Sequence, residues 1–462
     1  MTGRGRGLNV SVMVDPQQPL ALDLYELTMA QAYLAERMHT EPATFSLFVR
    51  HLPEGWGFLV AAGLEQALER LERLSFAEED LAYLETTRLF SSVFLDHLRG
   101  VHFRGDVRGL PEGTPFFPHE PVIEVDATLL EAQLVETAVL NAIHVATVIA
   151  SKAARCVAAA AGRPLVDFGM RRAHGLEAAL AAARSAWIAG FAGTSNVLAG
   201  KLYGIPVSGT MAHSLVEAFD DEERAFTAFA SAGTGPATLL VDTYDTVEGT
   251  RRAARVAAAL GDRVRGVRID SGDLAVAALE ARRVLDDAGL AEATIVASGG
   301  LDEHEIARLA ASGAPIDGFG VGSSFATGGD APYLDMAYKL VAAAGRPVLK
   351  LSRGKATWPG RKQVYRTLDG GLAVGDLIAL ADHDPHDGVA LIEPMMSAGV
   401  RIGAPTLADA RARFQARYRE LPRRVRQLAA GTFPVDFSRA LRAERDIARA
   451  AITVRQVQGA RT

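Results

Sequence analysis

Six short apolar runs in this chain each break off in polar or glycine residues, and an alanine-rich segment of helical length separates most neighbours. The runs are Pro164–Val166, Ile205–Val207, Thr238–Val241, Val264–Ile269, Thr294–Ala297 and Ile316–Phe319. A strand buried on both faces needs a continuous apolar run, whereas a helix lying on a sheet needs only one apolar stripe. The alternation predicts a parallel sheet with crossover helices, in the form of a βα barrel. Such barrels carry their chemistry at the carboxyl ends of the strands, so the six exits hold the candidate functional residues.

The 462 residues suit two domains or one elaborated barrel. The overall expectation is an α/β protein. A mixed α/β domain spans 1–135, the barrel spans 136–344, and a segment at 345–462 returns to complete the first domain. Helices are predicted at Leu24–Ala35 (opened by Asp23), Leu134–Ala160, Leu176–Ala189, Ser214–Ser231, Val247–Leu260, Leu274–Ala288 and Glu303–Ala311. Ala43–Arg50, Pro121–Val125, Pro347–Leu351, Gln363–Leu368 and Leu372–Leu380 read as strands. From Thr406 the chain reads as Arg/Ala-rich helix with charge pairs on a solvated face.

A net charge of −6 points away from nucleic acid, so an anionic ligand needs a local basic cluster. Four of the six lysines, Lys339, Lys350, Lys355 and Lys362, fall close together. The single cysteine, Cys156, excludes an internal disulfide and suits the cytoplasm, the expected location. Residues 1–14 have no apolar core of signal-peptide length. The longest apolar stretches, Leu134–Ala150 and Leu176–Ala199, are interrupted by Glu136, Asn141, His144, Glu177 and Arg184, so no membrane span is expected.

The last exit reads Gly318-Phe319-Gly320-Val321-Gly322-Ser323-Ser324, and the one before it Ser298-Gly299-Gly300. Closely spaced glycines let backbone N–H groups approach a phosphate, and late barrel strands are a common place for one. Read alone, the glycine turn is equally well an ordinary tight turn. The spacing does not fit a Walker A loop. Asp270-Ser271-Gly272-Asp273 offers acids for ribose hydroxyls or a magnesium–phosphate complex, or a helix cap. Asp167-Phe168-Gly169-Met170-Arg171-Arg172 offers a ring that can stack on a flat heterocycle beside guanidiniums that grip carboxylate or phosphate. Its bland counterpart is a surface ion pair and a core phenylalanine. His213, in Gly209-Thr210-Met211-Ala212-His213-Ser214, is a base, a metal ligand, a phosphoryl acceptor or a structural histidine. No second histidine or cysteine lies at metal-ligand spacing, so no zinc is expected. Leu239–Thr246 resembles the ribose-phosphate motif of type I phosphoribosyltransferases only weakly, because Thr243 interrupts the acids and Val247 replaces the glycine.

Taken together, these pieces resemble the nicotinate phosphoribosyltransferase family, which is of type II. The resemblance runs from Asp23-Leu24-Tyr25-Glu26-Leu27-Thr28-Met29 to about Tyr365. It includes Phe45-Ser46-Leu47-Phe48-Val49-Arg50, the run from Asp167 to Arg172, Phe191–Gly200, Gly209–Ser214 and Arg268–Asp273. It implies an irregular βα barrel combined with a second α/β domain, in a head-to-tail homodimer that joins nicotinate to 5-phosphoribosyl-1-diphosphate, with magnesium and with ATP hydrolysis coupled to the reaction. By this resemblance Phe168 stacks on the pyridine ring, and Tyr25 of the other subunit covers its opposite face. Arg171 lies beside the carboxylate, with Ser195 and Ser214 among the substrate-binding residues. Arg268 and Asp270 hold substrate and ribose, with Asp270 near magnesium-bound diphosphate. Ser298, Gly299, Gly300, Gly320, Gly322 and Ser323 hold the 5′-phosphate. Arg50, Lys350 and Lys355 meet the diphosphate or ATP, and His213 is phosphorylated. The related nicotinamide enzyme has aspartate where this chain has Ser195. An aspartate facing nicotinate would set two like charges together, so serine favours the acid over the amide. A nicotinamide enzyme, a quinolinate enzyme that releases CO2, and a non-catalytic phosphate-binding barrel are the competing readings.

Overall fold

The computed structural model describes residues 18–352, 357–382 and 386–459, with side chains as far as 453. Its centre is a curled parallel sheet in the order Gly193–Thr194, Leu165–Asp167, Gly318–Val321, Thr294–Ala297, Val264–Ile269, Ala237–Leu240. The first barrel strand in sequence therefore pairs with the last, Leu165 opposite Phe319. Val207 adds a single parallel bridge to Thr194 at one edge. Among the described residues no pairing joins that edge to Ala237–Leu240, so the curl is a half-barrel.

Helices between the strands start on side-chain caps supplied by the exits themselves. Asp245 accepts from Glu248 N–H at 2.8 Å, and Asp302 from Glu305 N–H at 2.8 Å. Asp273 accepts from Ala275 N–H at 3.0 Å, which makes it the cap of Leu274–Asp287. Asp270 is thereby left free of capping.

Four expectations are corrected. Ile205–Val207 is not a strand of its own, because the two-residue strand Gly193–Thr194 takes the place beside Leu165–Asp167. Ser214–Ser231 is two helices, His213–Glu217 and Glu222–Ala232, because Asp221 caps the second by accepting from Arg224 N–H at 3.0 Å. Leu134–Ala160 divides into Leu129–Leu134 and Glu136–Ala159, meeting at Val135. Only Arg346–Pro347 of the expected Pro347–Leu351 strand pairs.

The second body is a seven-stranded antiparallel sheet in the order Arg346–Pro347, Met336–Ala343, Pro42–Val49, Pro121–Thr128, Asp106–Gly109, Glu393–Ser397, Val400–Arg401. Segments from both ends of the chain thus share one sheet. Met336–Ala343, which the sequence division groups with the barrel, runs beside Pro42–Val49 from Ala43 opposite Ala343 to Val49 opposite Met336. A four-stranded sheet of Val389–Ala390, Lys362–Asp369, Leu372–Leu380 and Val435–Phe437 packs nearby.

Glu136–Ala159 links the two bodies. By length and composition it is apolar enough to cross a membrane, yet 78% of its most apolar window is buried inside the protein. It behaves as a core helix. Its buried Lys152 and Arg155 both pair with the buried Glu303, at 2.6 and 2.8 Å, and Lys152 also meets Asp330. A charge this deep persists only when it is paired, so the network fixes the helix against the barrel wall.

Candidate active site at the carboxyl ends of the barrel strands

The exits converge on one cavity of about 870 Å³. It is lined by Phe168, Arg171, Ser195, Arg268, Asp270, Ser298, Gly299, Gly300, Gly320, Gly322 and Ser323 among others. Eleven residues that the sequence singles out therefore meet in one place, although they span 156 positions of the chain, from 168 to 323 inclusive.

Phe168 is held from several sides. Its backbone N–H donates to Val321 O at 2.8 Å. Gly320 lies inside the strand Gly318–Val321, two residues later than the sequence register implies. A Cβ at Gly320 would come within 2.3 Å of the Phe168 ring, so glycine is what lets the ring lie against the strand. The Arg268 guanidinium stands 5.7 Å over the ring centroid, close enough for a cation–π contact. Arg268 also donates to Thr210 Oγ1, and its Nε–H is buried without a partner. Burial lowers its affinity for a proton, opposed by Asp270 and Asp242 and reinforced by Arg171. An anion placed there would satisfy both the charge and the free donor.

Asp270 faces the cavity from the end of Val264–Ile269. Ser298 Oγ donates to its Oδ1 at 2.5 Å, and its backbone N–H donates to Asp242 Oδ2 at 2.8 Å. Asp242 Oδ2 also accepts from Ser271 Oγ at 2.6 Å, while Asp242 Oδ1 is buried without a partner. His213 Nε2 lies 3.9 Å from Asp270 Oδ2, and its Nδ1 is 3.2 Å from Thr243 Oγ1. The histidine loop therefore hangs over the acid. Gly299 has φ +93°, and a Cβ on it would fall 1.9 Å from Asp270 O, so the turn there requires glycine.

Ser195 is half-buried, and its N–H donates to Asp167 O at 2.7 Å. Its N–H is thus occupied, and the residue lines the cavity.

Other candidates stand elsewhere. Tyr25 lies on the helix Leu24–Ala35, 43% exposed, outside the cavity lining of its own chain. Burial, then Glu136, raises its proton affinity. Arg50 pairs with Asp335 at 2.5 Å on the antiparallel sheet. Lys350 is exposed, its N–H donating to Thr357 Oγ1 at 2.9 Å. Ser214 is exposed in the first turn of His213–Glu217 and does not line the cavity. Lys355 lies outside the described residues. The sequence reading passed over Thr210 and Asp242 as site residues. No local signal marks Thr210, whose partner is 58 positions away. Asp242 carried a signal as an acid at a strand exit.

Two family patterns match the chain. The nicotinate phosphoribosyltransferase (NAPRTase) N-terminal domain matches residues 20–144, and the nicotinate phosphoribosyltransferase (NAPRTase) family matches residues 164–361. The chain is 53% identical over 415 residues to nicotinate phosphoribosyltransferase pncB2 of Mycobacterium tuberculosis, covering 88% of this chain and 89% of that protein. It is 45% identical over 384 residues to nicotinate phosphoribosyltransferase of Bacillus subtilis, covering 81% and 78%. The crystal structure of human nicotinic acid phosphoribosyltransferase superposes with a TM-score of 0.80 at 30% identity, covering 91% of this chain and 98% of that one. The match of both domains, in order, together with identity of 53% to a relative over 88% of the chain, shows that the chain belongs to the nicotinate phosphoribosyltransferase family.

Proposed function

We propose that the protein is a nicotinate phosphoribosyltransferase: it joins nicotinate to 5-phosphoribosyl-1-diphosphate and yields nicotinate mononucleotide and diphosphate, a step of NAD salvage. The observation that carries this reading is the single cavity that brings together an aromatic ring under a guanidinium, two glycine exits and Asp270. These are the features that a pyridine, a ribose and a phosphate would each need.

In this reading Phe168 carries the pyridine ring, and Arg171, Arg268 and the Ser195 hydroxyl meet the carboxylate. The backbone at Ser298, Gly299, Gly300, Gly320, Gly322 and Ser323 meets the 5′-phosphate. The ring nitrogen donates its lone pair to the anomeric carbon as the bond to diphosphate breaks, and diphosphate leaves with that electron pair. The ring becomes a pyridinium, so no proton needs to move at the reacting nitrogen. Positive charge gathers on the ribose, and Asp270 lies where it stabilises that charge. The orphan Asp242 Oδ1 and the carboxylate of Asp270 suit magnesium, which takes one or two carboxylates together with substrate oxygens. When bound, magnesium neutralises charge on the departing diphosphate.

ATP coupling through His213 is part of the same proposal. With Nδ1–H donated to Thr243 Oγ1, Nε2 keeps its lone pair and faces the cavity side. Nε2 then takes the terminal phosphoryl group of ATP, the bond to ADP breaks, and the phosphohistidine favours productive binding of the sugar diphosphate.

A head-to-tail homodimer completes the site. Leu24, Tyr25 and Met29 expose an apolar face on the first helix, and Val197, Leu202 and Val207 expose another beside the cavity. Docking one on the other sets Tyr25 of one subunit over the ring slot of the second. Arg50 and Lys350 are proposed to meet the diphosphate or ATP in that assembly. In the cytoplasm, the proposed location, buried Cys156 stays reduced.

The test is product formation from nicotinate, 5-phosphoribosyl-1-diphosphate and magnesium, with and without ATP, beside parallel nicotinamide and quinolinate reactions. Nicotinate mononucleotide with ATP-stimulated turnover is expected. Product from nicotinamide alone, CO2 release from quinolinate, or ligand binding without turnover would overturn the reading.

A further inference from the structure

Asp167 is fully buried, and all its accessible acceptors are engaged across two strand exits. Its Oδ1 accepts from Gly169 N–H at 2.6 Å, and its Oδ2 accepts from Thr194 Oγ1 at 2.6 Å. Its backbone oxygen takes Ser195 N–H at 2.7 Å. Thr194 Oγ1 in turn accepts from Asn196 N–H at 3.0 Å, and Asn196 Oδ1 caps the helix Val197–Tyr203 by accepting from Ala199 N–H at 3.1 Å. One residue therefore fixes the backbone on both sides of Phe168 and the backbone of Ser195 at once.

We infer that Asp167, acting through Thr194, is the positioning residue that sets the separation between Phe168 and the Ser195 hydroxyl, and so the preference for a pyridine carboxylate over its amide. The inference rests on the proposed nicotinate reaction. Two walls of the pyridine slot come from different strand exits, Leu165–Asp167 and Gly193–Thr194. That strand pair is short, with only Val166 opposite Gly193 and Asp167 opposite Thr194, so backbone pairing alone leaves its exits poorly constrained. The carboxylate supplies the missing constraint, and a charge-assisted hydrogen bond in a buried place is the strong kind. Burial raises the proton affinity of Asp167, and the hydrogen bonds from Thr194 and Gly169 oppose that shift. It touches no cavity surface of its own, so it acts on substrate only through its neighbours.

Thr194→Val keeps the shape of the side chain and removes the hydroxyl. Steady-state kinetics of this variant should show KM for nicotinate raised about tenfold, the scale of one buried hydrogen bond to a charge. KM for 5-phosphoribosyl-1-diphosphate should stay within about twofold, and the ratio of kcat/KM for nicotinate over nicotinamide should fall. Thr194→Ser, which keeps the hydroxyl, should return both values toward those of the unsubstituted protein. Asp167→Asn, which retains one acceptor, should lie between. A merely structural role would move both substrates alike or lower only the yield of folded protein. Unchanged nicotinate KM and selectivity in Thr194→Val, with normal turnover, would overturn the inference alone. If the unsubstituted protein makes no nicotinate mononucleotide, the functional reading is overturned and the inference with it.

Discussion

At the scale of single residues, charge decides the ligand. Ser195 lines the cavity with Arg171 and Arg268, and in the proposed reaction its neutral hydroxyl meets the carboxylate. Ser195→Asp sets a second anion against a bound carboxylate, and kcat/KM for nicotinate should fall about a hundredfold, with some nicotinamide turnover gained. Initial rates with both substrates check this, and an unchanged nicotinate value contradicts it. His213→Ala removes the nitrogen assigned to phosphoryl transfer but leaves Phe168 and the glycine exits intact. The expected result is loss of ATP stimulation with the ATP-independent rate preserved, read from rates with and without ATP. Phe168, Asp270 and His213 were legible in the sequence because each follows an apolar run at an exit. Thr210 was not, because its contact with Arg268 depends on a loop meeting the end of the strand Val264–Ile269. Asp242 was seen only as half of an interrupted acidic pair, although it supports Asp270 and Ser271 from the neighbouring strand.

At the scale of elements, the exits work because the backbone there adopts shapes that few residues permit. Gly299 combines a left-handed φ of +93° with a Cβ position 1.9 Å from Asp270 O. Gly299→Ala should cost about 2 kcal/mol or more in stability and raise KM for 5-phosphoribosyl-1-diphosphate. Gly289→Ala, at φ +76° with open space around it, should cost about 1 kcal/mol and leave KM alone. Denaturant unfolding and steady-state kinetics on the pair separate strain from clash. Four of the short apolar runs, Thr238–Val241, Val264–Ile269, Thr294–Ala297 and Ile316–Phe319, announced strands within two residues of where they form. Ile205–Val207 misled because an apolar triplet beside Pro206 looks the same whether or not a neighbour offers a full ladder. Gly193–Thr194 was invisible, since a two-residue strand has no periodicity to read.

At the scale of the whole molecule, the chain's two ends build the antiparallel body, and buried charge pins its sheets together. Arg366 is fully buried, paired with Asp376 at 2.6 Å, and donates to Pro115 O at 3.0 Å from across the sheet boundary. Burial, and then Asp376, holds the Glu120 carboxyl well above its usual range. Arg366→Met leaves both acids without their cation. It should destabilise the protein by about 3–5 kcal/mol in denaturant unfolding, whereas loss of less than about 1 kcal/mol would show that Asp376 and Glu120 share a proton without help. That the tail rejoins the first domain could be expected from the strands at 363–380. The pairing of Met336–Ala343 with Pro42–Val49 could not, since nothing local tells a barrel strand from one that leaves the barrel.

A crystal structure of the protein soaked with nicotinate mononucleotide tests the assignment of the cavity most directly. Expected is the pyridine ring on Phe168, its carboxylate toward Ser195 and Arg268, and the 5′-phosphate against the backbone of Gly299, Gly300, Gly322 and Ser323. Nucleotide bound outside this cavity, or bound in it with ring and phosphate exchanged, would contradict it.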